Sequence, residues 1–160
     1  MYRIGFGTDI HRLVVGRPLT LGGVRIESDL GADGHSDSDV LMHAAADAVL
    51  GALALGDLGT HFPDNEERWR NAESSQFVRH AVELIKEKGY AVGNIDAVIH
   101  LEKPKLRPHI DAMRHNLAAA LEISVENVSI KAKTGESVDS IGEQRAVSAE
   151  AVVLVHKPAR

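Results

Sequence analysis

From Val40 to Gly56 only two side chains are strongly polar, His43 and Asp47; the others are Val, Leu, Met, Ala and Gly. A run so apolar predicts a helix, ending near Leu55, that is buried on most sides. His43 and Asp47 stand four apart and so share one face of it. An imidazole and a carboxylate set into such a helix cost free energy unless something satisfies them. Two readings are open: a hydrogen-bonded core pair, or part of a functional site. Ahead of the helix runs a loop, Gly31 to Asp39, rich in Gly, Asp and Ser, in which Ser38 or Asp39 suits the N-cap.

The flanking patterns fill in the rest. Tyr2 to Thr8 alternates as a strand with one packed face and ends in Asp9-Ile10-His11-Arg12. Asp9 and His11, two apart, point to the same side of an extended segment. Leu19, Leu21, Val24 and Ile26 around Gly22-Gly23 read as a hairpin. Gly56 to Arg70 is longer than a connector needs to be, and long ordered loops are often functional; disorder is the plain alternative. Residues 72 to 88 form a second helix, with Phe77, Ala81, Leu84 and Ile85 on one side and Gly89 as its stop. Ile95 to Leu101 is a strand, and Lys103 to Pro108 a basic, proline-stiffened turn. Pro108 opens a third helix to about Leu121. Val128 to Lys133 and Ala146 to Val155 are strands joined by a loop from Thr134 to Glu143.

The order predicts an α/β two-layer sandwich: a four-stranded mixed sheet with three helices on one face plus a small hairpin, as one domain over 1–160. The other sheet face carries Arg3, His100, Lys131 and Glu150 among apolar residues. Such a face is either solvated or packed on copies of itself around a symmetry axis. The pattern favours the copies.

Composition narrows the function. The chain has 160 residues, enough for a sizeable core. Its net charge is −5 with no basic run, which argues against nucleic acid as a partner. There is no cysteine, so a metal site must use His and carboxylate. No apolar run reaches transmembrane length, because His43 and Asp47 interrupt the longest, so no membrane partner is expected. The chain opens directly into a strand with no leader pattern, which makes the cytoplasm the expected location.

Asp9, His11 and His43 make a ligand set of two imidazoles and a carboxylate, which suits Zn²⁺ with a fourth position open. Asp47 would support His43 from behind, a role compatible with the core-pair reading. His35-Ser36 stands at the entry to the central helix, where backbone N–H groups favour an anion such as phosphate; a plain cap explains Ser36 equally. Lys131 to Glu136 leaves a strand for a turn, where Thr134 and the amides suit phosphate oxygens. Glu136 suits a hard cation such as Mg²⁺, or is a surface residue. Asp57 and Asp64 suit hydroxyl groups, or are solvated loop carboxylates.

These motifs together resemble the 2-C-methyl-D-erythritol 2,4-cyclodiphosphate synthase family. The likeness runs over Arg3 to Arg12, Gly34 to Ala44, Asp47-Ala48, Gly56 to Gly59, His61 to Asp64, Pro104 to Leu106 and Lys131 to Glu136. It implies conversion of 4-diphosphocytidyl-2-C-methyl-D-erythritol 2-phosphate to the cyclic diphosphate with release of CMP, a phosphorus–oxygen lyase step of non-mevalonate isoprenoid synthesis. It implies Zn²⁺ on Asp9, His11 and His43, and Mg²⁺ or Mn²⁺ on Glu136. His35 and Ser36 then match phosphate contacts, and Asp57, Gly59, Phe62 and Asp64 the methylerythritol pocket. Lys105, Leu106, Arg107, Ala132, Lys133 and Thr134 match the cytidine and diphosphate side. Asp9, His35, Asp47, Lys133, Thr134 and Glu136 are the residues expected at the reacting groups. The resemblance also implies a homotrimer with active sites between subunits.

One stretch departs from the pattern. Ser137 to Arg145 stands where many bacterial members carry a Gly-Phe-Thr-Gly-Arg-Gly type of run, whose Arg faces a central cavity that can hold an isoprenoid diphosphate. Glu143 stands at that position, and an anion beside a diphosphate is unfavourable. The expectation is that this chain lacks the cavity ligand, unless Arg145 compensates. Two rival functions remain: a metal-dependent phosphohydrolase using water on the same ligands, and an inactive nucleotide- or metal-binding trimer.

Overall fold

The closeness of one helix to one strand organises the structure, a computed structural model that describes residues 1–62 and 72–158. Strand β1 (Tyr2–Val15) carries Gly5 and Gly7 on the face turned to helix α1 (Val40–Ala52). A Cβ at Gly5 would sit 1.8 Å from the Ala48 carbonyl oxygen, and one at Gly7 2.1 Å from that of Ala44. Only glycine on the strand and alanine on the helix allow so close an approach. Every other side chain of α1 is small or apolar for the same reason: from Val40 to Leu50 all but His43 and Asp47 are buried.

Two short strands, β2 (Leu19–Leu21) and β3 (Val24–Ile26), pair as the expected hairpin across Gly22-Gly23, both with positive φ. The main sheet has five strands rather than four, in the order β4-β1-β7-β5-β6. Its members besides β1 are β4 (Leu30–Ala32), β5 (Ala91–His100), β6 (Val128–Lys133) and β7 (Ala146–His156). The pairs are antiparallel except β5 with β6, which run parallel. The added strand is β4, in a stretch whose C-terminal part was expected as loop. Three residues, Leu-Gly-Ala, are too few to show alternation, and β4 is held by pairing with the far end of β1, Leu13 opposite Ala32. β1 is correspondingly longer than its pattern suggests and carries Asp9 and His11 inside the sheet.

Three long helices cover one face, as expected. These are α1, a helix over Ser75–Glu87 and one over Ile110–Leu121, the last entered through a 3-10 turn at Arg107–His109. With single turns at Leu58–His61 and Asp139–Gly142 they are α1 to α5 in chain order: α2 is Leu58–His61, α3 Ser75–Glu87, α4 Ile110–Leu121 and α5 Asp139–Gly142.

The opposite sheet face differs from its expected composition on one side. Arg3 has the parity of Gly5 and Gly7, so it belongs to the helix side. The outer face of β1 is Tyr2, Ile4, Phe6, Thr8 and Ile10, with Ile4 73% and Phe6 61% exposed. Phe6 lies opposite Val152 and Ile4 opposite Leu154, so the apolar surface is continuous across β1 and β7. His100, Lys131 and Glu150 fall on this face as expected, and Lys131 bonds Asp96 at 2.6 Å. No helix among the described residues is long and apolar enough to cross a membrane.

Candidate metal centre

The alternation that turns Gly5 and Gly7 toward α1 also turns Asp9 and His11 toward it. One turn of α1 before the contact at Ala48 stands His43. The three side chains converge: His43 Nδ1 is 2.7 Å from Asp9 Oδ2, His11 Nε2 is 3.1 Å from the same oxygen, and the two imidazole nitrogens are 3.3 Å apart. Ligands on one tetrahedral Zn²⁺ stand about 3.4 Å from each other, so the triad needs only a small expansion to accept the ion. The side chains keep 13–25% of their surface exposed, which leaves a side open to a further ligand.

The other nitrogen of each imidazole is already committed. His11 Nδ1 lies 2.9 Å from the Asp33 carbonyl and must donate to it. His43 Nε2 lies 2.8 Å from Ser74 Oγ and 3.2 Å from Ser36 Oγ. Both inward nitrogens therefore offer lone pairs once protons are displaced, as metal-binding histidines do. Burial raises the Asp9 carboxyl, but the hydrogen bonds and positive charge of His11 and His43 hold it well below its usual range. Burial lowers His11, and the Asp9 bond and charge outweigh it, so its pKa is raised.

Two expected roles change. Asp47 does not bond His43; its Oδ1 accepts from the Leu58 amide at 2.8 Å and so ties the following turn to α1. Burial raises its pKa against that bond. The first amides of α1 are not left for a phosphate either, because a carboxyl group of the chain itself accepts from them. Asp39, the N-cap, is fully buried and accepts from Leu41, Met42, Gly22 and Gly23 amides at 2.7–3.2 Å. Burial pushes its carboxyl up to about 6 despite those donors. Ser36 is 8% exposed, and its hydroxyl faces His43 and the Ser38 amide. His35, beside it, is half-buried.

The segment after α1 is drawn to the same place. Asp57 caps α2 by accepting from the Thr60 amide at 3.0 Å and hydroxyl at 2.8 Å, which lowers its pKa; Gly59 is exposed within that turn. Phe62 stacks on Phe77 at 4.6 Å between ring centres, and Phe77 lies 5.8 Å from the His43 ring. Asp64, and most of the long loop, lie outside the described residues.

The remaining expected residues gather elsewhere. The Leu101 amide bonds the Lys133 carbonyl at 2.9 Å, and Glu102 accepts from the Gly135 amide at 2.8 Å. These contacts fasten the segment after β5 to the turn after β6, while Lys105 lies beside Ser28, Asp29 and Gln144. Leu106 is buried, so only its backbone is available, while Glu136 is exposed and accepts from Thr134 Oγ1 at 3.1 Å. In register, Asp9 lies opposite Ala149, Ala149 opposite Ile99, and Ile99 opposite Ala132. Three strand spacings separate Asp9 from Ala132, about 14 Å. Within one chain the metal triad and the 132–136 turn leave the same end of the sheet but do not meet. Ser74, Asp37 and Glu102 are contributors that sequence patterns did not single out. Asp37, inside Gly34 to Asp39, had the clearest signal.

Known proteins carry the same arrangement of chain. The YgbB family model matches residues 2–156. The 2-C-methyl-D-erythritol 2,4-cyclodiphosphate synthase of Salinibacter ruber is 54% identical over 96% of this chain and 98% of its own. That of Desulfitobacterium hafniense is 50% identical over 98% and 99%. Among solved structures, a 2C-methyl-D-erythritol-2,4-cyclodiphosphate synthase superposes with a TM-score of 0.89 at 41% identity, over 96% of this chain and 100% of the other. The bifunctional IspDF of Campylobacter jejuni superposes at 0.92 with 35% identity; this chain spans 97% of its own length and 42% of that protein's. With a family match over nearly its whole length and relatives at half identity, the chain belongs to the YgbB family.

Proposed function

We propose that this chain is a single-domain enzyme that converts 4-diphosphocytidyl-2-C-methyl-D-erythritol 2-phosphate to 2-C-methyl-D-erythritol 2,4-cyclodiphosphate with release of CMP. It is a cytoplasmic phosphorus–oxygen lyase of isoprenoid precursor synthesis. The observation that carries the proposal is the convergence of Asp9 Oδ2, His11 Nε2 and His43 Nδ1, each imidazole tied at its other nitrogen, in a chain half identical to synthases of that name. In the reaction an oxygen of the 2-phosphate forms a bond to the β-phosphorus, and the bond from that phosphorus to CMP breaks. Zn²⁺ on Asp9, His11 and His43, with Mg²⁺ or Mn²⁺ on Glu136, supplies positive charge that offsets repulsion between the two phosphate groups.

The chain's own residues do the positioning, which accounts for several kcal/mol of such barriers. His35, Ser36, Lys133 and Thr134 hold phosphate oxygens. Asp57, Gly59, Phe62 and Asp64 take the methylerythritol portion, on a turn that Asp47 fastens through Leu58. Lys105, Leu106, Arg107 and Ala132 take the cytidine and diphosphate side. Because the two groups lie far apart in one chain, each site joins the triad of one subunit to the 132–136 turn of another in a homotrimer. The exposed apolar face of β1 and β7 supports that assembly.

The test is incubation of the metal-loaded protein with the diphosphocytidyl substrate and Mg²⁺, followed by ³¹P NMR. Coupled doublets of a cyclic diphosphate rising with CMP are expected. Linear phosphate products, or an unchanged substrate, overturn the proposal.

A further inference from the structure

Behind the metal triad a chain of polar groups, centred on a buried serine, runs away from the site. His43 Nε2 meets Ser74 Oγ at 2.8 Å, and the Ser74 hydroxyl in turn donates to an oxygen of Asp37 in a short bond. Asp37 also accepts from the Ser74 amide at 3.0 Å and the Asp39 amide at 3.2 Å. Ser74 is fully buried. None of these contacts is needed to bind a phosphorylated substrate, and Ser74 reaches this point from α3, more than thirty residues from His43.

Counting protons fixes what the chain does. An ionised carboxylate only accepts, so the single Ser74 hydroxyl proton goes to Asp37. The Ser74 oxygen then has only lone pairs to turn toward His43, and Nε2 must carry the proton and donate it. That selects the tautomer of His43 whose Nδ1, 2.7 Å from Asp9, presents its lone pair inward when a metal displaces any proton there. Without the Asp37 carboxylate, the Ser74 hydroxyl is free to rotate and donate to Nε2, which favours the tautomer with its proton on Nδ1 and closes the ligand position. Ser36 Oγ, at 3.2 Å from Nε2 and 3.4 Å from Ser74 Oγ, receives the Ser38 amide, and no carboxylate among the described residues orients its proton.

We propose that Ser74 and Asp37 are positioning residues for the metal site, holding His43 in the Nε2–H tautomer and in the orientation that makes Nδ1 a ligand. The proposal rests on the metal reading of the triad given above. Its test measures the Zn²⁺ affinity of the purified protein by chelator competition, with the Co²⁺ ligand-field spectrum and the melting of the metal-free protein as companions. Ser74→Ala and Asp37→Asn weaken Zn²⁺ binding by about 10–100-fold, the range seen when such outer partners are removed. Ser74→Thr, which keeps the hydroxyl, restores it. In the Zn²⁺-loaded wild type, ¹⁵N NMR of the imidazole shows a proton on Nε2 of His43. Metal-free melting separates loss of fold from loss of metal; if Ser74→Ala does not fold, Asp37→Asn and Ser74→Thr carry the comparison. Variants that bind Zn²⁺ like the wild type with an unchanged Co²⁺ spectrum overturn the proposal alone. A wild type that binds no Zn²⁺ overturns the metal reading and the proposal with it.

Discussion

Replacing Gly7 by alanine tests whether the packing of α1 on β1 builds the metal site. The new Cβ would lie 2.1 Å from the Ala44 carbonyl oxygen, 2.6 Å from the Ala48 amide nitrogen and 3.0 Å from Asp47 Cβ. Against an optimal separation of about 3.5 Å, the first contact is short by more than 1 Å. The obstructing atoms are mostly helix backbone, which cannot rotate away, so α1 must lift from the strand. Overpacking of this kind costs about 1–3 kcal/mol, and rigid neighbours put this case near 3 kcal/mol. For a chain of this length that lowers the melting temperature by roughly 6–12 °C. The lift acts between His43 and Asp47, one turn from a 2.7 Å contact to Asp9. Sites of this kind tolerate about 0.5 Å of displacement, so Zn²⁺ affinity falls about tenfold or more. Gly51→Ala is the control: its Cβ meets only the Phe6 carbonyl, at 3.8 Å, and removal of a helical glycine stabilises by about 0.5–1 kcal/mol. Calorimetry of the metal-free proteins and chelator competition read the two effects. A Gly7→Ala protein with wild-type melting and Zn²⁺ affinity refutes the argument.

The raised pKa of His11 means that Zn²⁺ must displace a proton, so affinity by titration calorimetry falls with pH, starting above 6.5; a flat affinity between roughly pH 8 and 6 refutes this. In the metal-free protein the His11 shift stabilises below pH 6.5 and is lost as pH rises through its raised value. The lowered Asp9 stabilises above pH 3.8 and is lost on acidification, so their pairing contributes most between 3.8 and 6.5. Phe6→Glu puts a charge on the apolar outer face and is expected to give a monomer by sedimentation that binds Zn²⁺ normally and turns over no substrate; a charged variant that still assembles refutes the use of that face. Glu143 holds Arg145 at 2.6 Å, which engages the cation that would have to compensate for it, so native mass spectrometry of the assembled protein is expected to show no isoprenoid diphosphate.

The readable parts of the sequence were those where a residue's neighbours along the chain decide its role. The apolar run of α1, broken only by His43 and Asp47, announced a buried helix with one polar face, and the two-residue step from Asp9 to His11 announced a common side. What stayed hidden depends on partners distant in sequence. β4 has three residues and is a strand only because β1 continues far enough to pair with it. Helical spacing pairs Asp47 with His43, but a backbone amide eleven residues on competes better. Ser74 sits in a stretch that reads as an ordinary helix start, and nothing local says that its hydroxyl faces an imidazole on another helix. Arg3 shares the parity of Gly5 and Gly7 and so points to the helix side, and a shift of one position moves any side chain to the other face of a sheet.

The separation of the two halves of the candidate site has a physical consequence. A phosphate and the diphosphate it attacks must be held about 3–3.5 Å apart to react. In one chain, β7 and β5 stand between Asp9 and Ala132, and no side-chain movement closes about 14 Å while the sheet remains paired. Both groups nevertheless leave the same end of the sheet, and its exposed face is apolar where Ile4 and Phe6 of β1 meet Val152 and Leu154 of β7, and polar over β5 and β6. In the proposed trimer, rotation about an axis along that face would set the triad edge of one copy beside the 132–136 edge of the next. Covering Ile4, Phe6, Ile10 and Val152 and completing the site are then one event. In that assembly the free energy holding the subunits together would also hold the two proposed phosphate-binding edges at a fixed distance. An isolated subunit, however well folded, would keep its metal ligands and lose its reaction.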